Sequence, residues 1–429
     1  MRRRLRVVTL GCSKNTVDTE HLLAQLPADA FEIVDGDGPV DCLLINTCGF
    51  IGDAKEESVN AILEAVEAKK RGEAGELIVF GCLSQRYPDE LPAEIPEVDA
   101  WFGARDLSPL LRRLGVEPGP FVTRRLTEEK GYAYLKISEG CDRRCSYCAI
   151  PLIRGAHRSV PMEDLVAEAE ALVARGVREL ILIAQDTTYY GLDLYHRRAL
   201  GELIGRLSAI PELAWIRIHY SYPADFPEDV LEVMAHNPKV CKYLDIPLQH
   251  IADPVLDRMR RHVDGAWTRA LIARLRREVP GVALRTTLIV GHPGETQEAF
   301  EELLDFVREA RFERLGAFIY SEEEGTWGAE HFADDVPPET KQARLDALME
   351  LQREISLECN RSRIGTEETV MVDGFLEGSR TAVCRSEYES PEVDGEILVR
   401  GVAPSVRVGD MIRVRIAAAG EYDLEAEAL

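Results

Sequence analysis

Six apolar stretches between residues 132 and 321, each followed by a helical pattern, limit the folds open to this chain more than any other feature. They are YAYLKIS (132–138), ELILIAQD (179–186), AWIRIHYS (214–221), YLDIPLQ (243–249), VALRTTLIVG (282–291) and RLGAFIYS (314–321). Strands that alternate with helices build a parallel sheet covered by those helices. Six such units predict a partial (β/α) barrel, shorter than the closed eight-fold form, with its chemistry at the carboxyl ends of the strands. Ser159 and Pro161 mark the start of the first of these helices, and Gly176 lies just past its end.

The flanking segments read differently. Up to about residue 115, RVVTLGC, CLLINTC and LIVFGC are strand candidates that each end on a cysteine. Asp53 to Lys70 has helical spacing, with Ile62 and Val66 on its apolar face. This alternation predicts a second, N-terminal parallel α/β sheet. Gly115, Pro118, Gly119 and Pro120 then mark a linker. A helix is expected from about Pro338 to Cys359. After it, ETVMVDGF, TAVCR, GEILVRG and DMIRVRIAAA are short strands split by Gly, Pro and Asp, which fits a small antiparallel β-barrel. The end, EYDLEAEAL, reads as an acidic tract. The expected units are 1–118, 127–358 and 360–429.

The chemistry is carried by cysteines. Cys141, Cys145 and Cys148, in GCDRRCSYCAIP, follow the first barrel strand and so fall on its expected active face. Three thiolates on one loop can hold three irons of a 4Fe-4S cube and leave the fourth open. Zinc would need a fourth ligand, and the next histidine is His157, outside the loop. Cys12, Cys48 and Cys82 share one setting, a strand end beside a glycine, in TLGCSKN, INTCGFI and VFGCLSQ. Carboxyl ends of parallel strands converge on one edge, where ligands bind, and a glycine lets backbone approach a bulky ligand. Each of these three, taken alone, also fits a buried core cysteine. Cys42, Cys241, Cys359 and Cys384 share no spacing and are assigned to packing or surface.

Charge and composition narrow the class. The net charge is −24, from 51 basic and 75 acidic residues, whereas nucleic-acid binders normally present a basic surface. Residues 360–429 hold 8 basic against 14 acidic side chains, a net of −6, which suits a basic protein partner better than RNA. No apolar run is long enough to span a bilayer. The arginine-rich start lacks the apolar region of a secretory signal. Ten cysteines without that signal imply reduced thiols in the cytoplasm.

With three N-terminal cysteines, the Cys-x3-Cys-x2-Cys loop and a C-terminal β module, the whole chain resembles the radical S-adenosylmethionine (SAM) methylthiotransferases. The resemblance implies two 4Fe-4S clusters, one on Cys12, Cys48 and Cys82 and one on Cys141, Cys145 and Cys148. It further implies SAM as cofactor, a low-potential electron donor, and a C-terminal TRAM barrel. AQDTTYYGLDL (184–194), YLDIPLQHIAD (243–253) and SPEVDGEI (390–397) look like the RimO-type branch. That branch replaces a β C–H of an aspartate in small-subunit ribosomal protein S-twelve by C–S–CH3, with one SAM spent on hydrogen removal and another on the methyl group. The alternative is the branch that modifies tRNA adenosine with the same chemistry. Weaker candidates each carry a bland alternative. GHPGET (291–296) is a cofactor-lining loop or a plain turn, Tyr147 an adenine contact or packing, and Arg217 a cofactor-carboxylate partner or a barrel salt bridge. His219 and His250 are expected to be structural.

Overall fold

The computed structural model describes residues 2–36, 38–128 and 130–429. The N-terminal sheet is wholly parallel. Its strands are β1 (Arg3–Thr9), β2 (Phe31–Ile33), β3 (Val40–Thr47), β4 (Ala74–Gly81) and β5 (Ala100–Phe102), in the order β2-β1-β3-β4-β5. The three strands ending on cysteines are the central ones. Sequence reading missed β2 and β5 because three residues are too few to show a period. Leu44, Ile78 and Phe80 pack one face against Leu110 and Leu111, while Ile45, Leu77 and Val79 pack the other against Ile62 and Val66. Burial on both faces explains why these strands read as continuous apolar runs.

The barrel strand β6 (Tyr132–Lys136) leads into a short hairpin of β7 (Ser138–Glu139) and β8 (Arg158–Ser159) that brackets the cysteine loop. The remaining barrel strands are β9 (Glu179–Ile183), β10 (Trp215–Ile218), β11 (Val240–Asp245), β12 (Ala283–Val290) and β13 (Arg314–Ile319). All neighbours are parallel in the order β13-β12-β11-β10-β9-β6, and β13 does not pair with β6. The partial barrel is therefore open on one side, as the six units predict. β11 begins three residues before the apolar stretch that signalled it, since Val240 and Cys241 precede a lysine that breaks the run.

The helix Pro338–Arg361 leads into a closed barrel of β14 (Glu367–Phe375), β15 (Ala382–Arg385), β16 (Ile397–Arg400), β17 (Met411–Ala419) and β18 (Leu424–Ala428). Four of its pairings are antiparallel, but β16 and β18 run parallel, one departure from the expected pattern. β18 corrects the reading of the chain's end as a mere acidic tract. Leu424 and Ala426 are buried while Glu425 and Glu427 face out, a two-residue alternation written in poor strand formers.

The segment Ser386–Asp394, between β15 and β16, reaches into the open barrel. Arg314 on β13 pairs with Glu389 at 2.8 Å, Tyr243 on β11 donates to Asp394 at 2.7 Å, and Tyr132 on β6 donates to Glu392 at 3.0 Å. Inside, Arg217 and Arg385 both clasp Glu179, and all three are buried. The third unit thus furnishes part of the second unit's lumen.

Candidate active site

Cys12, Cys48 and Cys82 follow β1, β3 and β4 on one sheet edge. Their loops touch in sequence. A side chain on Gly11 would come within 2.6 Å of Cys48 Cβ, and one on Gly49 within 2.8 Å of the Leu83 backbone, next to Cys82. The glycines let the three thiol-bearing loops pack on one another. Cys12 precedes the helix Ser13–Ala24, and Cys82 opens a short helix Cys82–Arg86. Asn15 ties the edge together, donating through Nδ2 to the carbonyls of Leu10 (2.8 Å) and Thr47 (3.1 Å).

Cys141, Cys145 and Cys148 lie between β7 and the helix Ile150–Arg154, at the carboxyl end of β6. Arg261 Nη1 donates toward Cys145 Sγ at 3.5 Å and to the Tyr147 hydroxyl at 3.3 Å. The Tyr222 hydroxyl lies 3.8 Å from the same sulfur and donates to the Arg261 carbonyl at 2.7 Å. Arg143 stacks over the Tyr222 ring at 4.0 Å and pairs with Asp186 at 2.9 Å.

Arg154 joins the two trios. It leaves the helix that follows Cys148, yet its Nε lies 3.2 Å from Cys82 Sγ. Its other nitrogens reach Asn15 at 2.6 Å, Asp18 at 2.7 Å and Glu139 at 3.1 Å, and only 2% of the residue is exposed. Lys136 completes the cluster by pairing with Asp18 and Glu139. Two cations and two carboxylates are thus sealed between the sheet edge and the barrel. Burial opposes ionisation of Glu139, but Lys136 and Arg154 outweigh it and hold that carboxyl well below its ordinary value.

The donor sets fit open-iron clusters. Among the described residues, no three of His, Cys, Asp or Glu converge closely enough to hold a single metal ion. Three thiolates match three irons of a 4Fe-4S cube, whereas a closed zinc site needs a fourth ligand. Burial pushes Cys82 and Cys141 up to about 12 and raises Cys48 and Cys148 as well. Without metal these are thiols at neutral pH, so ligation must expel protons. The barrel's carboxyl face also holds buried oxygens without partners, on Ser146, Gln185 and Gln249. Buried polar atoms are ordinarily satisfied, so these three are open to a hydrogen-bond partner from outside the protein.

The weaker candidates divide. Arg217 is spent on Glu179 and on the carbonyls of Glu387 and Ser386, the salt-bridge alternative. His219 bonds Ser390 at 2.9 Å, and burial lowers its pKa to about 3, keeping it neutral. His250 accepts from the Ala252 amide at 3.1 Å. Tyr147 accepts from Arg261 in a buried setting. Gly291–Thr296 forms a turn closed by the Gly291 amide on Glu295, which Arg344 clamps at 2.8 Å. Arg154, Arg261, Asn15, Tyr222, Gln185 and Gln249 had not been singled out from sequence. Three of them lay inside segments that carried a signal, Asn15 in TLGCSKN, Gln185 in AQDTTYYGLDL and Gln249 in YLDIPLQHIAD; the other three carried none.

Comparison with known proteins agrees with this layout. The model of the radical SAM superfamily matches residues 135–307, that of the uncharacterized protein family UPF0004 residues 4–103, and that of the TRAM domain residues 364–429. A protein of Phocaeicola vulgatus named ribosomal protein uS12 methylthiotransferase RimO is 52% identical over 427 residues, covering 99% of this chain and 98% of the relative. The chain belongs to the RimO-type radical SAM methylthiotransferases. A RimO protein of Porphyromonas gingivalis is similar at 53% identity, covering 99% of both chains. Among solved structures, the radical SAM methyltransferase TsrM from Kitasatospora setae, with cobalamin and a [4Fe-4S] cluster bound, shares the fold at a TM-score of 0.59. It is 16% identical and covers 77% of each chain. As a RimO-type methylthiotransferase this enzyme uses an iron–sulfur cluster and SAM.

Proposed function

We propose that this methylthiotransferase converts the β C–H of an aspartate in ribosomal protein uS12, the small-subunit protein S-twelve, into C–S–CH3. The observation that carries the reading is full-length identity of 52% to a protein named for that activity. In this reading Cys12, Cys48 and Cys82 hold one 4Fe-4S cluster and Cys141, Cys145 and Cys148 a second that chelates SAM. When bound, these groups supply homolytic C–H cleavage and a methylated sulfur, which no side-chain acid or base could provide for so weakly acidic a C–H. The chain's own residues bind, orient and exclude water. Arg154 spans the sulfur-bearing edge and the barrel, fixing their separation, while Arg261 and Tyr222 set the charge beside Cys145. The partnerless oxygens of Ser146, Gln185 and Gln249 would receive SAM's polar groups. Units 1–118, 127–358 and 360–429 would act together in the cytoplasm, fed by a low-potential electron donor.

The relatives favour this substrate over tRNA adenosine. Mass spectrometry of uS12 from a strain lacking the gene should show the loss of about 46 mass units, the exchange of SCH3 for H. Wild type should restore the mass, and neither cysteine-to-alanine triple variant should. The variant lacking Cys12, Cys48 and Cys82 should still form 5′-deoxyadenosine, and the one lacking Cys141, Cys145 and Cys148 should not. Unmodified uS12 in the wild type, with methylthioadenosine in tRNA, would overturn the substrate assignment.

A further inference from the structure

Lys14 lies in the first turn of the helix Ser13–Ala24, two residues after Cys12, and is only 9% exposed. Among the described residues it has no carboxylate within salt-bridge distance. The acids that follow it on the same helix are committed elsewhere, Asp18 to Lys136 and Arg154 and Glu20 to Arg124, and Asp245, which takes the Tyr220 amide, pairs with Arg285. Its ammonium instead sits 3.2 Å above the centre of the Tyr220 ring. The cation–π contact leaves the ammonium without an anionic side-chain partner.

Tyr220 is unusual in its own right. It follows β10 at the barrel's carboxyl face with φ of 57°, a left-handed conformation that is strained for a bulky side chain. Its amide donates to Asp245 at 3.0 Å, and its carbonyl accepts from the Thr187 amide at 3.1 Å, so the strain is held from both sides. A cation without a carboxylate partner from the thiol-bearing edge and a strained aromatic from the barrel thus meet at the seam between the two cysteine trios.

We propose that Lys14 is the specificity-determining residue that binds the side-chain carboxylate of the substrate aspartate. This rests on the substrate reading above. The aspartate β-carbon is bonded directly to its carboxyl carbon, so a grip on the carboxylate fixes the carbon whose C–H is replaced. The incoming anion also supplies the charge that Lys14 lacks. Asparagine presents the same shape without the charge and is discriminated against.

The test is anaerobic binding of the cluster-loaded enzyme to a uS12 peptide carrying Asp at the target position, and to the same peptide carrying Asn. Wild type should prefer the Asp peptide by about ten- to a hundred-fold, the usual worth of a hydrogen bond to a charged group. Lys14→Met should bind both peptides alike while keeping wild-type iron content and SAM affinity. Lys14→Arg should retain a preference for Asp. Undiminished discrimination in Lys14→Met would overturn the proposal, as would weakened SAM affinity in that variant, which would assign the lysine to the cofactor. If wild type binds neither peptide and leaves uS12 unmodified, the substrate reading fails and takes this one with it.

Discussion

Replacing Arg154 by Met should lower the midpoint potential of the cluster proposed for Cys12, Cys48 and Cys82. The guanidinium approaches Cys82 Sγ at 3.2 Å, which puts its charge roughly 7 Å from the middle of a cube bound there. At an effective dielectric of about 20, that charge favours an added electron by about 2.4 kcal/mol, or about 100 mV. Lys136 stays in place, paired with the Asp18 and Glu139 carboxylates. The assay is a potentiometric titration followed by electron paramagnetic resonance in the Cys141, Cys145 and Cys148 to Ala background, which leaves one cluster to titrate. The variant should also lose about 3–5 kcal/mol of stability, because two buried carboxylates lose a partner. A midpoint that stays within about 20 mV, or that rises, would refute the electrostatic reasoning.

Two further perturbations probe the frame. Gly49→Ala should cut iron incorporation at the N-terminal site while sparing the barrel site, because the new methyl group would meet the Leu83 backbone at 2.8 Å; full iron content would refute the contact. Glu389→Gln should reduce the acid sensitivity of the junction between the barrel and the third unit. Burial opposes ionisation of Glu389, but Arg363 and Arg314 outweigh it and hold the carboxyl at about 2. Its contribution is present above the unfolded value near pH 4.3 and is lost as pH falls toward 2, amounting to about 3 kcal/mol at neutrality. Unfolding midpoints followed from pH 6 to 2 should therefore fall less in the variant, and parallel curves would refute the linkage.

What was legible in the sequence was periodic or local. The barrel strands announced themselves by apolar runs, and the N-terminal thiols by one repeated context at the ends of β1, β3 and β4. What was not legible depends on pairs far apart in the chain. Arg154 with Cys82, and Arg261 with Cys145, follow no spacing rule, because each pair forms only after separate elements have packed. The count of acids in residues 360–429 likewise overstated how much charge faces outward. Glu389 and Asp394 are turned into the barrel, where Arg314 and Tyr243 take them. β18 escaped notice because glutamate and alanine are weak strand formers and only the alternation of burial reveals it.

The embrace of Glu179 by Arg217 and Arg385 imposes an order on biosynthesis. Arg385 leaves the ribosome about 200 residues after Glu179, a delay of roughly 10–40 s at ordinary rates of synthesis. Throughout that interval the nascent barrel exposes an acidic lumen wall and an unsealed side, while the sheet bearing Cys12, Cys48 and Cys82 is already complete. The edge that bears the first three cysteines is thus formed before the barrel is, and a nascent chain stalled before β15 would hold a finished first sheet beside an unfinished second unit.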